Sequence, residues 1–99
     1  MEKVIVMGCQ PYDFEQENGQ RITGCTIFYL PNAKDPNSRM YGTKAIEIKA
    51  SLDLAQNFSE GEGIYELDFA IVPGTRGTPK MVLRTANLIK KLDFNKLIV

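Results

Sequence analysis

The chain has 99 residues, equal numbers of acidic and basic side chains, and no histidine. This length is enough for one domain with its own hydrophobic core, and an apolar fraction of 43% is that of an ordinary globular protein. No run approaches the roughly 18 apolar residues of a membrane span, and the N-terminal stretch carries no signal-peptide pattern. We therefore expect a cytoplasmic protein.

The first two strands are predicted over Lys3–Phe14 and Arg21–Leu30. Apolar residues of the first strand lie on both parities, which indicates burial on both sides or one long strand that curls and serves two parts of a barrel. Asn18-Gly19 between the strands is a strong hairpin signal, because a type I′ turn needs positive φ at both central residues. Such a turn places Cys9 opposite Phe28 and Cys25 opposite Tyr12, so the two thiols are out of register and are expected to stay free.

The second strand is predicted to have two unlike faces. Ile22, Phe28 and Leu30 share one parity, which we assign to the core. Arg21 and Tyr29 lie on the other parity, which we assign to the outside.

The rest of the chain predicts three more strands and one short helix. A loop over Pro31–Gly42 is rich in proline and asparagine. The remaining predicted elements are a third strand over Thr43–Ala50, a helix over Leu52–Phe58 capped by Ser51, a fourth strand over Gly63–Val72, a second loop over Pro73–Lys80, a fifth strand over Met81–Lys91 and a tail over 93–99 that docks on a sheet edge.

This element order predicts a single all-β domain over residues 1–99. Three strands, a short helix and two strands form the order of the OB-fold, a five-stranded, partly open barrel. That fold binds ligands on the face of strands two and three, flanked by the loops between strands one and two and between four and five.

The side chains that most enzymes need are missing. The absence of histidine removes the commonest general base and metal ligand, and two separated cysteines make no zinc site. Paired carboxylates such as Glu60 with Glu62 lie beside a predicted turn, where a solvated surface is the simpler interpretation. We expect a protein without catalytic activity, cofactor or metal.

A set of cations and tyrosines, by contrast, falls on the predicted ligand face and its loops. Cations follow the phosphates of single-stranded nucleic acid, and aromatic rings stack on its bases. The candidate binding residues from this pattern are Arg21, Tyr29, Lys34, Arg39, Tyr41, Lys49, Arg76 and Lys80.

Several short segments resemble the small helix-destabilising, single-stranded-DNA-binding proteins of filamentous phages and the related proteins of plasmids and conjugative elements. The segments are Lys3-Val4-Ile5-Val6, a glycine-bearing hairpin, Phe28-Tyr29-Leu30, Ile46-Glu47-Ile48-Lys49, Gly63-Ile64-Tyr65 and Met81-Val82-Leu83.

The resemblance implies non-catalytic binding and protection of single-stranded DNA during replication or transfer of a mobile element. RNA is a possible alternative ligand. The resemblance also implies a homodimer, in which the loop Val72–Lys80 contributes to the dimer contact. It matches Arg21, Tyr29, Lys49 and Arg84 to DNA-contacting positions.

Two other interpretations remain open from the residues alone. The first is a small β-barrel that serves as a protein-interaction or capsid-assembly module without nucleic-acid binding. The second is an oligosaccharide-binding domain, against which the absence of tryptophan counts.

Overall fold

A computed structural model describes residues 2–32, 36–37, 39 and 41–97 of the chain. The described chain is mostly β, as predicted. Its strands are β1 (Glu2–Glu15), β2 (Arg21–Tyr29), β3 (Ile46–Ala50), β4 (Gly63–Pro73) and β5 (Pro79–Lys91), and a 3₁₀ helix spans Leu52–Phe58 between β3 and β4.

The five strands form one antiparallel sheet in the order β3-β2-β1-β4-β5. In the described chain β3 and β5 are edge strands, and the sheet is not closed into a barrel. The two edges nevertheless approach each other, so the sheet curls around a single core.

The first strand serves two parts of the sheet, which is one of the two arrangements its sequence predicts. Residues 2–6 pair with β4, and residues 8–15 pair with β2. Met7 is an extra residue at a bulge between Val6 and Gly8, and it reverses which side chains face inward. This reversal explains why apolar residues lie on both parities of β1.

The β1–β2 hairpin differs by one residue from the predicted register. Its loop is Glu17-Asn18-Gly19, and only Gly19 has positive φ, at 82°. The Gln16 N–H donates to Gln20 O over 2.8 Å, and the Gly19 N–H donates to Gln16 O over 2.9 Å. This three-residue loop with glycine in the left-handed position replaces the predicted type I′ turn. Cys9 consequently faces Ile27, and Cys25 faces Pro11.

Both cysteines are free, as predicted, although they are only two positions out of register. The Cys25 thiol is buried and donates to Ser51 O over 3.4 Å. Burial and the neighbouring Cys25 raise the pKa of the Cys9 thiol to about 12, so Cys9 stays protonated at neutral pH.

The core is built from alternate residues of four strands, together with Phe58 of the 3₁₀ helix. Ile27 and Leu67 are fully buried near its centre, and Tyr65 lies beside Phe58 with ring centroids 4.9 Å apart. The buried apolar residues are Val4, Val6, Cys25, Ile27, Tyr29, Phe58, Tyr65, Leu67, Leu83 and Ala86.

The 3₁₀ helix begins as its sequence predicts. Ser51 is its N-cap, and the Ser51 hydroxyl accepts a hydrogen bond from the Asp53 N–H. Phe58 is part of the core and Leu54, four residues earlier, packs against it, so both lie on the inner face of the helix.

The C-terminal tail begins close to β4. The Leu92 N–H donates to Glu62 O over 3.1 Å, and the Phe94 N–H donates to a Glu62 carboxylate oxygen over 3.3 Å. A 3₁₀ turn covers Phe94–Leu97, where the Leu97 side chain is exposed. Residues 98 and 99, which complete the tail predicted to dock on a sheet edge, lie outside the described residues.

Candidate nucleic-acid interface

The predicted outward position of Tyr29 is wrong. Tyr29 is 6% exposed and lies in the core, with its ring centroid 6.4 Å from that of Phe69. The odd-numbered side of β2 also carries Cys25 and Ile27, and these two residues pair with apolar partners on β1 and β3. On the other side of β2, Phe28 faces Glu47 and Thr26 faces Lys49, so burying that side would also bury charged groups.

Arg21 is exposed but already paired. Its Nε and one terminal nitrogen donate to the two Asp13 carboxylate oxygens over 2.7 and 2.8 Å. The hydrogen bond from Arg21 lowers the pKa of Asp13, so this carboxylate remains ionised and paired at neutral pH. Eight residues, or roughly 27 Å of extended strand, separate Arg21 from Tyr29. The predicted pairing of these two residues in one site is therefore not formed.

The other predicted residues are dispersed. Lys49 is exposed on β3, Tyr41 is 98% exposed in the loop before that strand, and Arg39 is exposed in the same loop. Lys34 lies outside the described residues. Tyr41 lies five residues before β3, which begins at Ile46, so it is not held on the face of that strand.

The β4–β5 hairpin carries the remaining three predicted cations. Arg76 has left-handed backbone angles, φ 59° and ψ 28°, in a turn over Thr75–Gly77, and its side chain is exposed. Lys80 is exposed opposite Val72. Arg84 donates to an Asp68 carboxylate oxygen over 2.6 Å, so its charge is largely compensated.

A different group of residues shares one exposed face of β1, β2 and β3. Residues that face each other across antiparallel strands point to the same side of the sheet. Tyr12 faces Gly24, Phe14 faces Ile22, and Thr26 faces Lys49. We call this the outer face, and its side chains are those of Gln10, Tyr12, Phe14, Ile22, Thr26, Phe28, Glu47 and Lys49.

The outer face carries aromatic rings and a cation on the same side of the sheet. Tyr12 and Phe14 have ring centroids 6.3 Å apart, and Phe14 is 51% exposed. Lys49 pairs with Thr26, whereas Tyr12 pairs with Gly24, so Lys49 is two strands across and two residues along from Tyr12, or roughly 12 Å between Cα atoms. Glu47 faces Phe28 and adds a negative charge to the same face. Two aromatic rings on the same face as an ammonium group can stack on flat apolar ligands that carry negative charge.

The opposite face of the same hairpin is acidic. Asp13, Glu15, Arg21 and Thr23 share that side, and Glu17 lies in the connecting loop. The hairpin thus separates an aromatic surface from an acidic one. The acidic surface disfavours anions such as phosphates, whereas the aromatic surface carries both Lys49 and Glu47.

The sequence analysis did not identify Tyr12, Phe14 and Phe28 as candidate binding residues. The spacing Tyr12-x-Phe14 places two aromatic rings on one side of a strand, and this signal was available from the residues alone. The sequence did not predict that Tyr12 faces Gly24, because the predicted register placed Cys25 opposite Tyr12.

Comparisons with protein-family models, with curated proteins and with solved structures find no match to this chain. Within the described residues no three His, Cys, Asp or Glu side chains are grouped so as to hold a metal ion. None of the helices in that part of the chain has the length and apolar character needed to cross a membrane.

Proposed function

We propose that the protein is a non-catalytic, single-stranded-DNA-binding protein with an OB-like fold. It binds and protects single strands during replication or transfer of a phage, plasmid or conjugative element. The observation that carries this proposal is the aromatic pair Tyr12 and Phe14 on the outer face, which also carries Lys49.

The topology supports the OB-like part of the proposal. The long β1 pairs with β2 along one segment and with β4 along the other, and the 3₁₀ helix lies between β3 and β4. The curled sheet with two approaching edges is compatible with a partly open barrel. Its outer face includes strands β2 and β3, which carry the ligand site in OB-folds.

The chemistry of the outer face supports single strands over duplex. Aromatic side chains stack on unpaired bases for about 1–3 kcal/mol per base, whereas the base faces of a duplex are covered by their neighbours. Lys49, Lys44 and Arg39 are exposed on β3 and in the loop before it. Within the described residues none of the three forms an ion pair, so their charges are available to phosphates.

The proposal is tested by competition. A fluorescent single-stranded oligonucleotide should bind with micromolar or tighter affinity, and unlabelled single strands should displace it. Duplex of the same sequence should displace it only at much higher concentration. Equal competition by duplex would contradict the stacking argument.

An apolar pair on the β4–β5 hairpin supports a homodimer. Ile71 and Met81 face each other and are 77% and 54% exposed. Covering such a side chain contributes about 1.5–3 kcal/mol, and a two-fold dimer is the commonest closed assembly. We propose that a second copy covers this pair.

We expect light scattering at high micromolar concentration to give twice the 11.1 kDa chain mass. Ile71→Asp should shift the protein toward the single-chain mass, because it places a charge in the contact. Thr43→Asp adds the same charge to an exposed residue outside the β4–β5 hairpin and is the matched control. A single-chain mass for the unsubstituted protein would contradict the dimer.

The same apolar pair favours a second candidate function, a protein-interaction or capsid-assembly module. In that case the β4–β5 hairpin carries the activity, and the outer face is an ordinary strand surface. This candidate predicts no binding of single strands at low salt.

A further inference from the structure

Gly24 on β2 lies directly beneath the side chain of Tyr12. The two residues face each other across the β1–β2 pair. A Cβ atom built on Gly24 would lie 2.4 Å from the Tyr12 hydroxyl oxygen and 2.6 Å from ring carbon Cζ. The phenol end of Tyr12 thus occupies the space that any other side chain at position 24 would need.

This contact fixes the direction of the Tyr12 ring. With glycine at position 24, the ring extends from β1 across β2 toward the backbone of β3, whose Ala50 O lies 3.1 Å from the same Cβ position. Tyr12 is only half-buried there, so part of its ring remains open to solvent. The neighbouring Phe14 ring continues the surface along β1.

We infer that the Tyr12 ring, which lies across Gly24, is a stacking site for one unstacked nucleobase. Gly24 is the positioning residue, because it fixes the direction of this ring. The inference rests on the proposed function, because it assigns the base-contacting position of the same outer face. A ring fixed in direction loses little rotational freedom when a base stacks on it, which favours binding. The ligand class is a base that is free of its own neighbours, as in a single strand.

A structural role alone also explains an aromatic ring over a glycine, because such a ring covers the gap that glycine leaves in a sheet. The two roles differ in what they predict for strands without bases. If Tyr12 is a base-stacking site, disturbing its ring weakens binding only of strands that carry bases. If its role is structural, the same change affects folding or the affinity for all ligands alike.

The experiment compares an oligothymidylate with an abasic oligonucleotide of the same length, at low salt. The variant is Gly24→Ala, whose methyl group displaces the end of the Tyr12 side chain and needs only a small adjustment at Ala50 O. Gly8→Ala is the matched control. Gly8 lies on the same strand pair, and a Cβ there has nothing within 4 Å.

We expect the unsubstituted protein to bind the oligothymidylate more tightly than the abasic strand. Gly24→Ala should weaken binding of the oligothymidylate about fivefold or more and leave abasic binding unchanged. Gly8→Ala should leave both affinities unchanged. Thermal unfolding of each variant provides the check on folding.

Two results would overturn the inference while leaving the proposed function intact. One is an unchanged affinity of Gly24→Ala for the oligothymidylate, and the other is equal weakening for both oligonucleotides. If the unsubstituted protein binds neither oligonucleotide, the proposed function is contradicted, and so is the base-stacking site at Tyr12. Should Gly24→Ala not fold, Tyr12→Leu removes the ring without crowding β2 and is judged by the same comparison.

Discussion

Replacing Tyr65 with alanine should lower the free energy of unfolding by about 3–5 kcal/mol. The Tyr65 side chain is fully buried, and its ring packs against Phe58 at a centroid distance of 4.9 Å. Its hydroxyl donates to Gly61 O over 2.8 Å. The substitution removes the ring contacts and leaves a cavity where β4 meets the 3₁₀ helix.

The measurement is urea unfolding of the variant beside Tyr65→Phe. Phenylalanine keeps the ring and removes only the hydroxyl, so it should cost about 0.5–1.5 kcal/mol. If the free energy of unfolding falls with urea concentration at a similar slope for both variants, they differ in stability alone. A loss below about 1 kcal/mol for Tyr65→Ala would contradict the packing described for this ring.

Replacing Phe14 with alanine should weaken binding of single-stranded DNA by about 1–3 kcal/mol, or roughly 5- to 150-fold. Phe14 is half-exposed beside Tyr12, so its loss removes a stacking surface from the outer face and little from the core. The unfolding midpoint should therefore change far less than the affinity does.

Thr23→Ala is the matched control for Phe14→Ala. Thr23 is exposed on the same hairpin but on its acidic face, where it faces Asp13. Its substitution should leave affinity unchanged. If both variants weaken binding to the same degree, the outer face is not the binding surface.

Local sequence patterns predict most of the architecture. Alternating apolar residues locate all five strands, although β3 begins three residues later than predicted. The Ser51 cap locates the start of the 3₁₀ helix. These features depend on neighbours within one segment of the chain, and such signals are present in the residues themselves.

Two features of the sheet could not be predicted with the same success. Asn18-Gly19 is compatible with a two-residue or a three-residue loop, because glycine supplies positive φ in both. The extra residue Met7 at the β1 bulge has no signal of its own in the sequence. Each of these shifts pairing between distant residues by one position.

The candidate site depended on this register and was only partly predicted. Lys49 lies on an exposed face as expected, whereas Tyr29 is in the core and Arg21 is paired with Asp13. Both sides of β2 carry apolar residues, so parity alone could not decide which side is buried. On β3, Ile48 is only half-buried, while the facing Ile27 on β2 is fully buried.

Two substitutions in the core should lower the free energy of unfolding. Tyr29→Ala should destabilise the fold, because it removes a buried ring that packs beside Phe69. Ile27→Ala should destabilise the protein more than Ile48→Ala does, since its side chain leaves the larger cavity.

The central claim is tested most directly by the binding of a fluorescent single-stranded oligonucleotide at a series of salt concentrations. We expect tight binding at low salt, with the logarithm of the association constant falling by about 0.7 per phosphate contact for each tenfold rise in salt. Lys49→Ala should reduce that slope by somewhat less than one. Absence of binding at low salt, or equal affinity for duplex, would contradict the account.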